Sequence, residues 1–296
     1  RFKYLVQKLG LEEVLRFIEE EKVAIKNKSV VVNRETIQQP AAPTSVVTPV
    51  EPIDAAKYQV WRATNVFEQK QKGFFGVYVK ILTGDIPTSK ARELVAGIRD
   101  HIADDIRITQ NQNLLFKYVR EESLPHLFNL FTQLGIANAG FDSTADVTTC
   151  PGTDTCNLGI SNSTEMARVI EQYIHEFHEE FVYEQDLKIK ISGCMNSCGQ
   201  HGLAHIGFHG SSVKAEGKVV PAAQVMLGGG TIGDGKSRVA ERVIKVPTKR
   251  VLQVVDLVLV DYKQNRLAEE NFHAYYDRQG KDYFYRLLKP LSDLTT

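Results

Sequence analysis

The sequence predicts an α+β protein: an N-terminal helix and a linker, then two lobes of mixed helices and strands. Three observations carry this. Apolar positions switch repeatedly between a period of two and a period of 3.6. Between Gly76 and Leu134 the order reads strand, helix, two strands, helix, which places helices on one side of a sheet. Everything after about Ala137 holds the chain's only cysteines, Cys150, Cys156, Cys194 and Cys198, in loops of small residues between regular elements.

Residues 1 to 28 read as one amphipathic helix, Phe2 to Glu21 at its centre, with Leu5, Leu9, Val14, Phe17 and Ile18 as the apolar stripe. The chain opens at Arg1 inside that helix, which reads as the end of an upstream half. Residues 29–57, with Q-Q-P-A-A-P-T at their centre, have linker composition. The first lobe, 58–136, alternates as a strand over Gly76 to Asp85. It is helical over Ser89 to His101, forms short strands at Asp105 to Thr109 and Asn113 to Tyr118, and is helical again from Leu124 to Leu134. The second lobe, 137–296, opens with a helix over Ser161 to Tyr183. Asn162 and Glu165 stand in capping-box positions, and Ala167, Ile170, Ile174, Phe177 and Phe181 form its buried stripe. Strands follow at Lys188 to Ser192, Leu203 to Phe208 and Gln224 to Leu227, then helices at Lys249 to Arg266 and Asp282 to Leu288.

Thirty-six basic residues balance thirty-six acidic ones, so a nucleic-acid partner is not expected. Four cysteines are too sparse for a disulfide scaffold. No signal peptide is visible, and no apolar run reaches the ~18 residues of a membrane span. The best run, Val251 to Tyr262, is broken by Gln253, Asp256 and Asp261. The expectation is a cytoplasmic chain whose thiols stay reduced.

Grouped thiolates are soft ligands that select iron–sulfur clusters or zinc. Five residues separate Cys150 from Cys156 and three separate Cys194 from Cys198. Zinc knuckles favour two to four, so spacing alone leans to a redox cluster and leaves structural zinc open.

The pattern C-x5-C followed by S-G-C-x-N-x-C-G-Q resembles the siroheme-containing nitrite and sulfite reductases of the ferredoxin-dependent type, in their C-terminal half. R-I-T-Q-N-Q-N-L at Arg107 to Leu114, L-A-H-I-G-F-H-G and V-M-L-G-G-G resemble further family segments, and F-K-Y-L-V-Q-K-L-G-L-E resembles the end of the family's first half. The resemblance implies a ferredoxin-like lobe followed by a lobe that binds a [4Fe–4S] cluster and siroheme. It implies that Cys150, Cys156, Cys194 and Cys198 ligate the cluster and that Cys198 also bridges to the siroheme iron. Asn196 would sit against the siroheme, and Arg107, Gln112 and Asn113 would approach its carboxylates or close the interface between lobes. Six-electron reduction of nitrite to ammonia, or of sulfite to sulfide, is the implied reaction. Gly199-Gln200 after the fourth cysteine leans to nitrite. Ferredoxin or a similar one-electron donor is the implied partner, and the Arg and Lys residues that bind the anion would lie upstream of Arg1. Met195 departs from the family, where proline is common. A zinc-stabilised binding domain and a cluster-only electron carrier are the rival readings.

Of the remaining residues, His201, His205 and His209 read as solvent-facing or hydrogen-bonded. On a strand His205 and His209 would be about 13 Å apart, too far for one metal. His175 and His178 read as polar-face helix residues, and Gly228 to Gly230 as a flexible turn. Lys236, Arg238, Arg242, Lys245, Lys249 and Arg250 read as a solvated face, with a ferredoxin-docking patch as the alternative.

Overall fold

A computed structural model describes residues 2–25, 41–43, 48–103, 105–215 and 217–294. The chain divides into two units, 1–39 and 40–296.

In the first unit the single expected helix is two: α1, Phe2–Leu9, and α2, Leu11–Ile25. Gly10 separates them at φ 81°, a left-handed conformation that ends a helix and that glycine adopts without steric cost. The expected helix residues beyond Ile25 lie outside the described residues, as does most of the expected linker. The linker's described end is ordered. Asn129 Nδ2 donates to Glu51 O at 2.9 Å and its Oδ1 accepts from Ile53 N at 2.8 Å.

In the second unit α3, Ala55–Asn65, starts inside the expected linker, capped by Asp54 accepting from Lys57 N. Next come β1 (Val66–Glu68), β2 (Phe75–Val79), α4 (Thr88–Ile98), β3 (Ile106–Ile108), β4 (Leu114–Val119) and α5 (Leu124–Gln133). The four strands form one antiparallel sheet in the order β1-β2-β4-β3. Sequence reasoning missed α3 and β1, because a three-residue strand carries too little periodicity to read. Trp61, Phe116, Phe128 and Phe131 are buried at the centre of this lobe's own core.

Then follow β5 (Thr148–Thr149), α6 (Ser163–Phe177), β6 (Ile189–Ser192), β7 (Ile206–Ala215) and β8 (Lys218–Leu227). They are followed by β9 (Gly230–Gly233), β10 (Lys236–Arg238), β11 (Glu241–Pro247), α7 (Val251–Asn265), α8 (Phe272–Gln279) and α9 (Lys281–Leu288). The main sheet runs β11-β8-β7-β6-β5, with β5, β6 and β7 parallel and the rest antiparallel. Its two faces differ. Ile189, Ile191, Ile206, Phe208, Val225 and Leu227 are fully buried against a second core built with α6, α7, α8 and α9. Lys190, Ser192 and His209 alternate onto the opposite, polar face.

Asn162 caps α6 as expected, Oδ1 accepting from Glu165 N at 3.1 Å. The helix ends at Phe177, short of Tyr183. Phe177 is 59% exposed rather than buried, while Phe181 reaches the core from a following 3₁₀ turn. His178 is not a polar-face residue: it is buried and bonds Asp256 Oδ1 at 2.9 Å. β7 and β8 run well beyond the expected strands as a ten-residue-a-side hairpin.

Trp61→Ala should cost about 3–5 kcal/mol, the range for deleting a large buried aromatic, measured by urea unfolding of the full chain. Asn162→Ala should cost about 1 kcal/mol in the same assay.

Candidate functional site

The two cysteine pairs arrive at one place because their strands are neighbours. β5 and β6 pair in parallel with Thr149 opposite Ile191, so Cys150 and Gly193-Cys194 leave the same end of the sheet. Backbone bonds knit the two loops together. Cys150 N donates to Ile191 O at 3.3 Å, and Ile160 N and Ser161 N both donate to Gly193 O, at 2.8 and 3.1 Å. Gly193 N, 43 positions along the chain, donates to Cys150 Sγ at 3.1 Å, and Ser163 Oγ lies 3.6 Å from the same sulfur.

Close approach of the backbones demands glycine here. A Cβ at Gly199 would stand 1.8 Å from Ile191 O, and one at Gly193 would stand 2.5 Å from Gly152 Cα. Ser197 and Gln200, on either side of Cys198-Gly199, take positive φ (63° and 59°), a costly conformation for residues with a Cβ, held by the surrounding loop.

All four thiols are free of disulfides; Cys194 is buried, Cys150 half-buried, and Cys156 and Cys198 exposed. Among the described residues no three His, Cys, Asp or Glu side chains are placed to share a single ion. Four soft donors on interlocked loops, with a backbone amide already aimed at one sulfur, fit an iron–sulfur cluster, whose sulfurs take such bonds. Met195 is 57% exposed, so its side chain does not shape the loop. Asn196 is half-buried beside it.

The half-domain candidates separate. Arg107 lies on β3, half-exposed, with Nε on Asp105 Oδ2 at 2.6 Å. Gln112 does not point outward: its Oε1 accepts from Thr149 N at 3.0 Å. Asn113 is 1% exposed and its amide is spent on the fold. Oδ1 accepts from Ile81 N at 2.8 Å, and Nδ2 donates to both Asp146 oxygens at 3.1 and 2.9 Å. Burial pushes the Asp146 carboxyl up, opposed by Lys80, and pushes that of Glu171 up to about 7 against the same lysine.

The three histidines after Cys198 are buried, not solvent-facing. His201 and His209 pack ring against ring, centres 4.8 Å apart with planes tilted by 44°. His205 precedes β7 and joins a chain: Lys188 N donates to its Nδ1 at 3.0 Å, its Nε2 meets His273 Nδ1 at 3.2 Å, and His273 Nε2 meets Gly229 O at 3.1 Å. Because Nδ1 of His205 accepts, its Nε2 carries the proton, so His273 accepts at Nδ1 and donates at Nε2. Burial, and then the neighbouring His273, hold His205 down to about 3. Thus Gly228 to Gly230 is no free turn. Arg238 Nε also donates to Gly228 O while its Nη1 pairs with Asp277 at 2.7 Å. No sequence signal marked His273; it is 68 positions from His205. Beside this face opens a cavity of about 400 Å³ lined by Asn111, Thr148, Lys188, Lys190, His205 and Thr231.

Comparison with known proteins gives this geometry a family. Residues 140–293 match the family model described as "Nitrite and sulphite reductase 4Fe-4S domain", and residues 67–134 match "Nitrite/Sulfite reductase ferredoxin-like half domain". The chain belongs to the siroheme-containing nitrite and sulfite reductase family.

The family's cofactors are a [4Fe–4S] cluster and siroheme. The chain is 28% identical over 166 residues to a ferredoxin–nitrite reductase of Synechococcus elongatus, covering 55% of this chain and 31% of that protein. It is 27% identical over 217 residues to the sulfite reductase [NADPH] hemoprotein beta-component of Staphylococcus haemolyticus, covering 71% and 36%. The structure of Mycobacterium tuberculosis NirA superposes with a TM-score of 0.69 at 22% identity, over 96% of this chain and 48% of that one, a likeness of fold. The chain thus spans about a third of the length of these curated relatives. Among the described residues no helix is long and apolar enough to cross a membrane.

Gly199→Ala should prevent the loops from closing: iron content after reconstitution should fall to background, and thermal melting should drop. The buried histidines predict acid sensitivity. A folded pKa below the unfolded value of about 6.5 means the unfolded chain takes up protons first. Their stabilising contribution is therefore complete above about pH 6.5 and is lost toward about pH 3, at about 1.4 kcal/mol per pH unit for His205 alone. Urea midpoints at pH 7 and 5 should differ accordingly, and His205→Gln should flatten that slope.

Proposed function

We propose that Cys150, Cys156, Cys194 and Cys198 hold a [4Fe–4S] cluster, that Cys198 is also shared with the siroheme iron, and that Asn196 lies against the siroheme. The observation that carries this reading is the parallel β5–β6 register, which brings both cysteine loops to one sheet end with Gly193 N–H on the Cys150 sulfur. When bound, the two cofactors would store single electrons and offer the iron at which a small oxyanion is reduced. The protein's part is to hold the thiolates, donate hydrogen bonds to sulfur and limit water.

The whole protein, on this reading, is an oxidoreductase that reduces nitrite to ammonia or sulfite to sulfide with six electrons, the Gly199-Gln200 pair favouring nitrite. The anion-binding Arg and Lys residues are proposed to lie in a part of the enzyme that the relatives have and this chain, about a third of their length, does not span. Arg107, on the half-exposed edge strand, is proposed to reach a siroheme carboxylate through its planar fork. Asn113, fully engaged internally, is not. Exposed Lys236, Arg242, Lys245 and Lys249 suit an acidic one-electron donor such as ferredoxin. The division into 1–28, 29–57, 58–136 and 137–296 is proposed with α3 moved into the ferredoxin-like lobe. Its support is the separate cores on either side of residue 137.

Anaerobic purification with siroheme synthesis co-expressed, followed by visible spectroscopy and metal analysis, tests this. Siroheme bands with about five irons per chain are expected for the coupled centre, and about four irons without siroheme for a cluster held alone. Colourless protein with one zinc would sink the proposal. Cys194→Ser should remove iron and acid-labile sulfide together.

A further inference from the structure

Among the described residues β5 is the outermost strand of its sheet, and no strand pairs with its outer backbone edge. The outer side of β5 and of the segment leading into it is nevertheless satisfied, by three side chains. Lys80 Nζ donates to Ala145 O at 2.6 Å, Val147 N donates to Glu171 Oε1 at 2.9 Å, and Thr149 N donates to Gln112 Oε1 at 3.0 Å. Val147 and Thr149 keep the two-residue period of one strand edge, and Ala145 lies in the turn that leads into it. Lys80 and Glu171 also close on each other at 3.3 Å, with side chains only 2% and 9% exposed. On the inner edge, Cys150 N bonds Ile191 O. Cys150 is thus the first residue beyond a strand gripped on both sides, and two of the three outer groups, Lys80 and Gln112, come from the ferredoxin-like lobe.

We infer that Lys80, Glu171 and Gln112 are positioning residues for the Cys150 thiolate, through which the ferredoxin-like lobe fixes one ligand of the cluster. The inference rests on reading Cys150 as a cluster ligand. The physical reason is the strand's length. Two residues of parallel ladder hold little by themselves, and an unpaired edge opens readily. Burying a lysine and a glutamate is costly unless both are fully bonded. Here both charges are spent on backbone groups of the segment that leads into the site. Asp146, on the same segment, ties it again to the ferredoxin-like lobe through Asn113.

The test compares the full chain with Gln112→Ala, Gln112→Glu and Lys80→Met, each reconstituted with iron and sulfide. Backbone hydrogen exchange over 145–150 and the rate of iron release to a chelator are read in parallel, with the melting temperature as control. In Gln112→Ala the Thr149 amide should exchange roughly fivefold faster, the loss of about one net hydrogen bond. Iron release should quicken with it, while melting falls by no more than the few degrees that one hydrogen bond accounts for. Gln112→Glu keeps the acceptor and should restore both rates, and Lys80→Met should quicken both more strongly. Unchanged exchange in Gln112→Ala and Lys80→Met would overturn the clamp. Faster exchange with unchanged iron release would overturn its role in placing the ligand. A wild-type chain that takes up no iron would instead overturn the reading of the cysteines, with exchange still reporting the clamp.

Discussion

Parallel pairing of β5 with β6 is the constraint on which the rest depends. Two short strands lying side by side deliver two cysteine loops to one edge, and everything nearby follows from that closeness. Glycine is required where the loop backbones cross, and that close approach lets the amide of Gly193 reach the Cys150 sulfur. A parallel neighbour needs a crossover, which the segment containing α6 supplies. The register cannot slip by one residue without turning Ile189 and Ile191 out of the core and Lys190 into it.

The sheet divides the labour between its faces. One is apolar and pays for the fold through the core shared with α6, α7, α8 and α9. The other carries lysines, serine and histidines that have left water without becoming charged. The His205–His273 relay satisfies every buried ring nitrogen in it with a fixed tautomer, tying the start of β6 to the glycine turn before β9. Polar order of this kind holds a surface rigid for a ligand at the cost of sensitivity to acid.

Between the lobes the adhesive is polar as well. Lys80, Gln112 and Asn113 reach from the ferredoxin-like lobe to Glu171, Asp146 and the backbone of the segment before Cys150. A buried ion pair contributes modestly to stability but punishes misplacement, so it suits a joint whose geometry matters more than its strength.

Much was legible in the chain. The cysteine spacing, the Asn162 cap and the alternation of Ile189 and Ile191 are local facts, and local propensity and period determine them. So the sequence by itself determined the α+β class, the main helices of the second lobe and the family. Several things were not legible. Phe177 turned outward because α6 ends early at His178, which a distant Asp256 holds. Gln112 was expected to approach siroheme or to close the interface between lobes, but its partner, the Thr149 amide, could not be named from sequence. His273 carried no motif at all. Tertiary structure alone decided which polar groups meet, because those partners are dozens of positions apart and their pairing depends on strand order and crossing backbones. No window of sequence contains either.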